Sequence, residues 1–138
     1  MTNCIFCKIA RKESPCAEVF TGKQVMAFLD IGPIARGHTL VIPKTHYSNL
    51  WEVPAAMADD LFQAMQIVGR ALMQVTGATG MNVIMNNFAS AGQVVMHAHW
   101  HLVPRFEGDG LFRVEQQDYA SRETMYELAA AMQQALPK

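Results

Sequence analysis

Gly92-Gln93-Val94-Val95-Met96-His97-Ala98-His99-Trp100-His101-Leu102-Val103-Pro104-Arg105 carries three of the chain's five histidines at alternate positions. Successive side chains of a strand point to opposite faces. A strand over Val94–Arg105 therefore sets His97, His99 and His101 on one face and Ala98, Trp100 and Leu102 on the other. Neighbouring imidazoles would then lie about 6.5–7 Å apart along the strand, close enough for adjacent rings to meet one ligand. A merely solvated sheet face has no need of such alternation. Two chemistries fit it: a metal site, for which histidines two apart on a strand are a common ligand pair, and nucleophilic attack by a neutral imidazole whose neighbour moves a proton. The histidines alone leave both open.

Upstream, the small residues Ala89-Ser90-Ala91-Gly92 read as a loop, preceded by a strand over Met81–Asn87 and a helix stop between Gly77 and Gly80. The helix itself is expected over 54–76. Met57, Leu61, Met65, Val68, Leu72 and Val75 recur at three- and four-residue spacing with Pro54 in the first turn, while Asp59, Asp60, Gln63, Gln66 and Arg70 face water. Before it, His38-Thr39-Leu40-Val41-Ile42 reads as a central strand stopped by Pro43. Asp30 to Gly37 is a Gly/Pro loop, and 16–21 and 25–29 form two strands around a Gly22-Lys23 turn. Downstream, a second amphipathic helix over about 122–135 starts after Ser121 and is expected to turn Met125, Leu128 and Met132 inward. Strands, a helix, then strands again with short connections give an α+β fold with a mainly antiparallel sheet.

The chain has 138 residues, without repeats or linkers, and is read as one domain over 1–138. A hydrophobic fraction of 51% and a charged fraction of 17% are those of a globular protein. The formal net charge of -1 supplies no field for nucleic acid or an anionic membrane, so neither is expected as a partner. The start, Met1-Thr2-Asn3-Cys4-Ile5-Phe6-Cys7-Lys8, has no signal-peptide pattern, and no apolar run is long enough to span a bilayer; a cytoplasmic location is expected. Cys4 and Cys7 are spaced to grip one ion or form a redox couple, and in a reducing compartment either outranks a disulfide. Cys16 is read as a small buried apolar residue.

The triad segment, with Gly92-Gln93 ahead of it, resembles the signature of the histidine-triad (HIT) family, as do Cys4-Ile5-Phe6-Cys7-Lys8-Ile9, Ala27-Phe28-Leu29-Asp30-Ile31 and Gly37-His38-Thr39-Leu40-Val41-Ile42-Pro43-Lys44-Thr45-His46. These blocks cover 4–105 in the family's order. The resemblance implies a HIT-like sheet of about five strands with one long central helix and a C-terminal helix. It implies a nucleotide hydrolase or nucleotidyl transferase that cleaves at the α-phosphorus of a purine nucleotide derivative. The substrate would be a nucleoside phosphoramidate, an acyl-nucleotide or a dinucleoside polyphosphate. His99 falls on the family's nucleophile, with His101 and His38 in the polar relay beside the phosphate.

By the same resemblance Asp30 accepts hydrogen bonds from the ribose hydroxyls, Phe6, Ile9, Phe28 and Ile31 enclose the base, and Asn86 faces the departing group. The backbone at Gly92, Gln93 and Val94 points N–H groups at the phosphate. Val94 replaces a hydroxyl-bearing Ser or Thr of most relatives. The resemblance also implies a structural zinc held by Cys4, Cys7, His46 and His97, and a homodimer that continues the sheet across a two-fold axis. Two other classes of answer stand beside it: a metal-dependent hydrolase using all three triad histidines, and a nucleotide-binding interaction protein with only residual activity.

Overall fold

The computed structural model describes residues 3–138. Its order is α1 (Ile5–Ala10), β1 (Glu18–Thr21), β2 (Val25–Leu29), β3 (Thr39–Pro43), α2 (Ala58–Thr76), β4 (Gly80–Ile84), β5 (Trp100–Arg105) and α3 (Arg122–Ala135). The strands form one five-stranded antiparallel sheet in the order β1-β2-β3-β5-β4. The α+β class and antiparallel sheet read from the sequence are those observed.

Alternation along β2 and β3 splits the core into two layers. Val25, Ala27 and Val41, with Leu102 of β5, meet Met57, Leu61, Ala64, Val68 and Leu72 at the α2 side. Met26, Phe28, Leu40 and Ile42 point to the opposite face, where Phe6 and Ile9 of α1 cover them. Both layers come from the period-two geometry of buried strands, and each buried Leu or Val contributes about 1.5–3 kcal/mol. Gly37, at φ +96°, lets the chain enter β3 against α2: a Cβ there would lie 2.7 Å from Leu72 Cδ1 and 2.9 Å from Thr76 Cγ2. Among the described residues no helix is long and apolar enough to cross a membrane.

Several boundaries differ from the sequence reading. The 54–76 helix begins as a 3-10 turn over Ala55–Met57 and becomes α-helical only at Ala58. Val75, expected in the core, is 75% exposed because its position faces away from the sheet. β1 starts at Glu18 rather than at residue 16, with a bulge between Glu18 and Phe20, and β4 ends at Ile84 rather than at Asn87. The largest correction concerns α3: Met125, Leu128 and Met132, expected to point inward, are 38%, 47% and 63% exposed, and no residue of the helix is buried. Its amphipathic pattern and Ser121 cap are real, since Ser121 Oγ accepts from Thr124 N at 3.1 Å, but no part of the domain covers it.

Candidate active site and metal centre

The triad segment is not one continuous strand. β5 pairing with β3 ends at Val41↔Trp100, so His101 lies in β5 while His97 and His99 precede it. There the backbone leaves the ladder for the 43–47 segment: Ala98 N donates to Tyr47 O at 2.6 Å and His97 Nε2 donates to Pro43 O at 2.8 Å. The evenly spaced ladder expected from the sequence is therefore bent. The His99 and His101 ring centroids are 4.9 Å apart, and His97 turns toward α1, its ring 5.0 Å from that of His46.

Each imidazole's partners fix its tautomer. His97 spends Nε2–H on Pro43 O, so Nδ1 carries the lone pair and faces Cys4 Sγ at 3.5 Å and Cys7 Sγ at 3.6 Å. His99 reverses the pattern: Nδ1–H donates to His97 O at 2.6 Å, which leaves the lone pair on Nε2. On the other side, Ile34 N donates to His38 Nδ1 at 3.1 Å, so His38 carries its hydrogen on Nε2 and donates it to His101 Nδ1 at 2.9 Å. His101 must then hold its own hydrogen on Nε2, a buried nitrogen that has no protein partner. Burial pushes His97 and His101 down to about 4 and lowers His99 and His38 as well, so all four rings are neutral near pH 7.

A cleft of about 390 Å³ opens beside these rings on the α1 face of the sheet. Phe6, Ile9, Phe28, Asp30, Gly92, Val94, His99 and His101 all line it. Ile31 also lines it but stands fully exposed at the rim, so it does not enclose a base in this conformation. Asp30 Oδ1 accepts from Gly32 N at 2.8 Å, and Oδ2 lies 3.7 Å from His38 Nε2. Asn86 is outside the cleft lining, its amide nitrogen 3.6 Å from where a Cβ of Gly92 would sit.

The loop before the triad departs from expectation in its backbone, and its buried Gln93 side chain serves the scaffold. Gln93 is buried, and its side chain is consumed by scaffolding: Oε1 accepts from Phe88 N at 2.8 Å, while Nε2 donates to Ser48 O at 2.6 Å and Val95 O at 3.0 Å. It shapes the loop instead of offering its amide to a ligand. Of the three backbone N–H groups expected to face a phosphate, Gly92 N donates to Ala89 O and Gln93 N to Phe88 O. Only that of Val94 lacks an intrachain partner among the described residues. Gly92 closes this 3-10 turn at φ +95°.

Leu40, Val95 and Cys16 also line the cleft; the sequence reading did not place them there. Leu40 shares its strand face with Ile42 opposite Phe28, so alternation along β2 and β3 carried the signal. Cys16 is half-buried rather than buried, and burial raises its thiol pKa.

Cys4, Cys7, His46 and His97 come together with their ligand atoms all within 4.8 Å of one another. Their chemistry suits zinc. Tetrahedral bonds of about 2.3 Å to sulfur and about 2.0–2.1 Å to nitrogen hold S and N ligands about 3.6 Å apart. The three S···N separations are 3.5 Å for Cys4–His97, 3.4 Å for Cys7–His46 and 3.6 Å for Cys7–His97. Both histidines present Nδ1 to the thiols while Nε2 meets an oxygen, Pro43 O or Ser48 Oγ, an arrangement that orients a metal-binding imidazole. Burial raises the Cys7 thiol, which a cation would reverse.

A neutral imidazole with its Nε2 lone pair at the edge of a nucleoside-sized cleft, three further histidines locked in complementary tautomers, and a thiol–imidazole cluster behind it define a histidine-triad site. The HIT domain family profile matches residues 11–108, and the chain belongs to the HIT family. It is 45% identical over 109 residues to Protein hit of Bacillus subtilis, covering 78% of this chain and 75% of that one. It is 39% identical over 113 residues to Adenylylsulfatase HINT3 of Arabidopsis thaliana, covering 82% of this chain and 57% of that longer protein. With Adenosine 5'-monophosphoramidase hnt1 of Schizosaccharomyces pombe it shares 37% identity over 103 residues, 75% of this chain and 74% of that one.

Among solved structures, a HIT family protein from Bacillus subtilis superposes with a TM-score of 0.89 at 36% identity, covering 99% of both chains. A Zn-bound histidine triad family protein from Mycobacterium smegmatis gives a TM-score of 0.75 at 35% identity, covering 97% of this chain and 96% of that one.

Proposed function

We propose that the chain hydrolyses or transfers nucleotides at the α-phosphorus, with His99 Nε2 as nucleophile. The observation that carries this reading is the bond from His99 Nδ1 to His97 O, which leaves Nε2 unprotonated on a cleft lined by Phe28 and Asp30. His99 Nε2 attacks phosphorus, the bond to the leaving group breaks with its electron pair, and a nucleotidyl-histidine forms. Water then attacks phosphorus as the P–N bond returns its electrons to His99, and the proton that water sheds to solvent balances the one the leaving group takes up from it. His101 Nε2–H and the backbone N–H of Val94, neither with a protein partner among the described residues, would donate to the phosphoryl oxygens where negative charge builds. His38 keeps that donor in place through its bond to His101 Nδ1.

The sugar would rest on Asp30, whose carboxylate suits a ribose diol, and the base between Phe6, Ile9 and Phe28. Ile31 would close from the rim. Asn86, beside the Gly92 turn, would face the departing group. The substrate class we favour is a purine nucleoside phosphoramidate, acyl-nucleotide or dinucleoside polyphosphate. Relatives named adenylylsulfatase and adenosine 5'-monophosphoramidase support cleavage at an adenylyl group.

Cys4, Cys7, His46 and His97 would hold one zinc ion. When bound it supplies a structural cross-link, since four protein ligands leave no open position for water. We read the whole chain as one HIT unit acting as a cytoplasmic homodimer. Edge strand β4 offers a partner sheet its unpaired side, and the uncovered apolar face of α3 supports contact with a second copy.

The test is AMP release from adenosine phosphoramidate and from a diadenosine polyphosphate by the zinc-loaded protein. Turnover of either supports the reading. AMP binding without turnover of either would favour the interaction-protein alternative.

A further inference from the structure

Phe6 lies between Cys4 and Cys7 in the sequence, yet its ring lines the nucleotide cleft. It meets Phe28 edge-on at 5.4 Å, His99 at 5.1 Å with an interplanar angle of 88°, and His97 at 5.8 Å. One ring thus touches a cleft wall, the attacking imidazole and a metal-cluster imidazole. Ile9, one turn further along α1, lines the same cleft.

The helix that carries them is weakly attached otherwise. α1 is six residues long and has no side-chain cap at Cys4. Among the described residues the backbone hydrogen bonds of 4–14 close within that segment, as in Lys8 N to Cys4 O, Arg11 N to Cys7 O and Ser14 N to Lys8 O. A helix this short does not persist in water alone, so its place depends on side-chain anchorage. That anchorage consists of the cluster formed with His46 and His97 and the packing of Phe6 and Ile9 on β2 and β3.

The cluster also has a route to solvent that avoids the nucleotide cleft. A second cavity, of about 520 Å³, is lined by Cys4, His46 and Ser48 and is divided from the cleft by Ile5, Val94 and Val95, which line both. An ion can therefore enter or leave while a nucleotide occupies the other side.

We propose that Phe6 couples metal occupancy to nucleotide affinity. With zinc on its four ligands, α1 is pinned and Phe6 and Ile9 complete the base wall. Without it, α1 loses its strongest anchor and the wall loosens. The inference rests on the nucleotide reading of the cleft and the zinc reading of the cluster. Because coupling between two binding events is reciprocal, bound nucleotide tightens zinc by the same factor that zinc tightens nucleotide.

The test is a binding cycle on the full chain: calorimetric titration of AMP into zinc-loaded and chelator-stripped protein, and zinc affinity by chelator competition with and without AMP. We expect AMP to bind about tenfold more weakly to stripped protein, and zinc affinity to rise by an equal factor when AMP is present. In Phe6→Ala both ratios should fall below about twofold. Phe6→Leu, which keeps apolar volume in the core but not the ring edge on His99, should fall between wild type and Phe6→Ala.

Equal AMP affinity in loaded and stripped wild type would overturn the coupling, as would a full zinc effect retained in both Phe6 variants. A chain that binds zinc but no AMP would defeat the nucleotide reading and the coupling with it. One that binds AMP but takes up no zinc would defeat the metal reading and the coupling with it. One that binds both at unchanged affinities would defeat the coupling alone.

Discussion

His97 and His101 come from the same short segment and burial lowers both to about 4, yet their surroundings divide their labour. His97 gives Nε2–H to a backbone carbonyl and turns Nδ1 to two thiols. His101 accepts at Nδ1 from His38 and keeps Nε2–H without a protein partner, on a ring that lines the cleft. Between them His99 takes its orientation from the backbone of His97. The lesson is that a titratable side chain acquires its role from the partner of its other nitrogen: Pro43 at the end of β3 for His97, His38 just before β3 for His101, and the backbone of His97 itself for His99.

Breaking the phosphate side should cost the most. His99→Ala is expected to lower AMP release by at least about 10³-fold while the circular dichroism spectrum stays native, because nothing else in the cleft offers a free imidazole nitrogen. His101→Ala removes the unpartnered Nε2–H donor and should lower turnover by about 10²-fold, with AMP affinity changed much less. His38→Ala acts only through His101 and should cost less than either.

Breaking the metal side should move stability before chemistry. Cys7→Ser is expected to abolish stoichiometric zinc in elemental analysis and to lower Tm by about 5–10 °C, and chelator should lower Tm in wild type but not in the variant. A variant that keeps one zinc per chain would show that the ion sits elsewhere.

Acidification separates the two sides by sign. Unfolded histidine titrates near 6.5, whereas His101 holds out to about 4 and His38 is lowered by burial. The unfolded chain therefore takes up protons these rings refuse when folded. Their contribution to stability is complete above about pH 6.5 and is lost as pH falls toward 4. Urea midpoints between pH 7.5 and 5 should fall with pH, and a His38→Gln/His101→Asn double variant should flatten that slope. The smallest effect is expected from Val94→Ser, which puts a hydroxyl beside the unpartnered backbone N–H of residue 94 and should raise turnover only a few-fold.

Much of this was legible in the sequence where a period or spacing carried it. The Gly22-Lys23 turn and the β-branched apolar run before Pro43 gave β2 and β3, and three- and four-residue spacing gave α2 except at its first turn and at Val75. The Cys4/Cys7 pair suggested an ion, but only family resemblance named His46 and His97 as its other ligands, since side chains so far apart in sequence meet only through the fold. The bend that separates His97 from His101 was hidden because it depends on where β3 pairing stops, and Pro43 and Tyr47 set that point. The role of Gln93 as scaffold was hidden for the same reason: its partners at Ser48 and Phe88 are decided by tertiary contacts. For α3 the pattern showed an apolar face correctly, but a pattern cannot say which surface covers it.

The proposed chemistry turns on His99 Nε2. Zinc-loaded protein mixed with adenosine phosphoramidate, quenched early and weighed intact should carry one AMP adduct, which peptide mapping places on His99 and which is absent from His99→Ala. An adduct that persists in His99→Ala, or rapid turnover with none formed at any quench time, would contradict it.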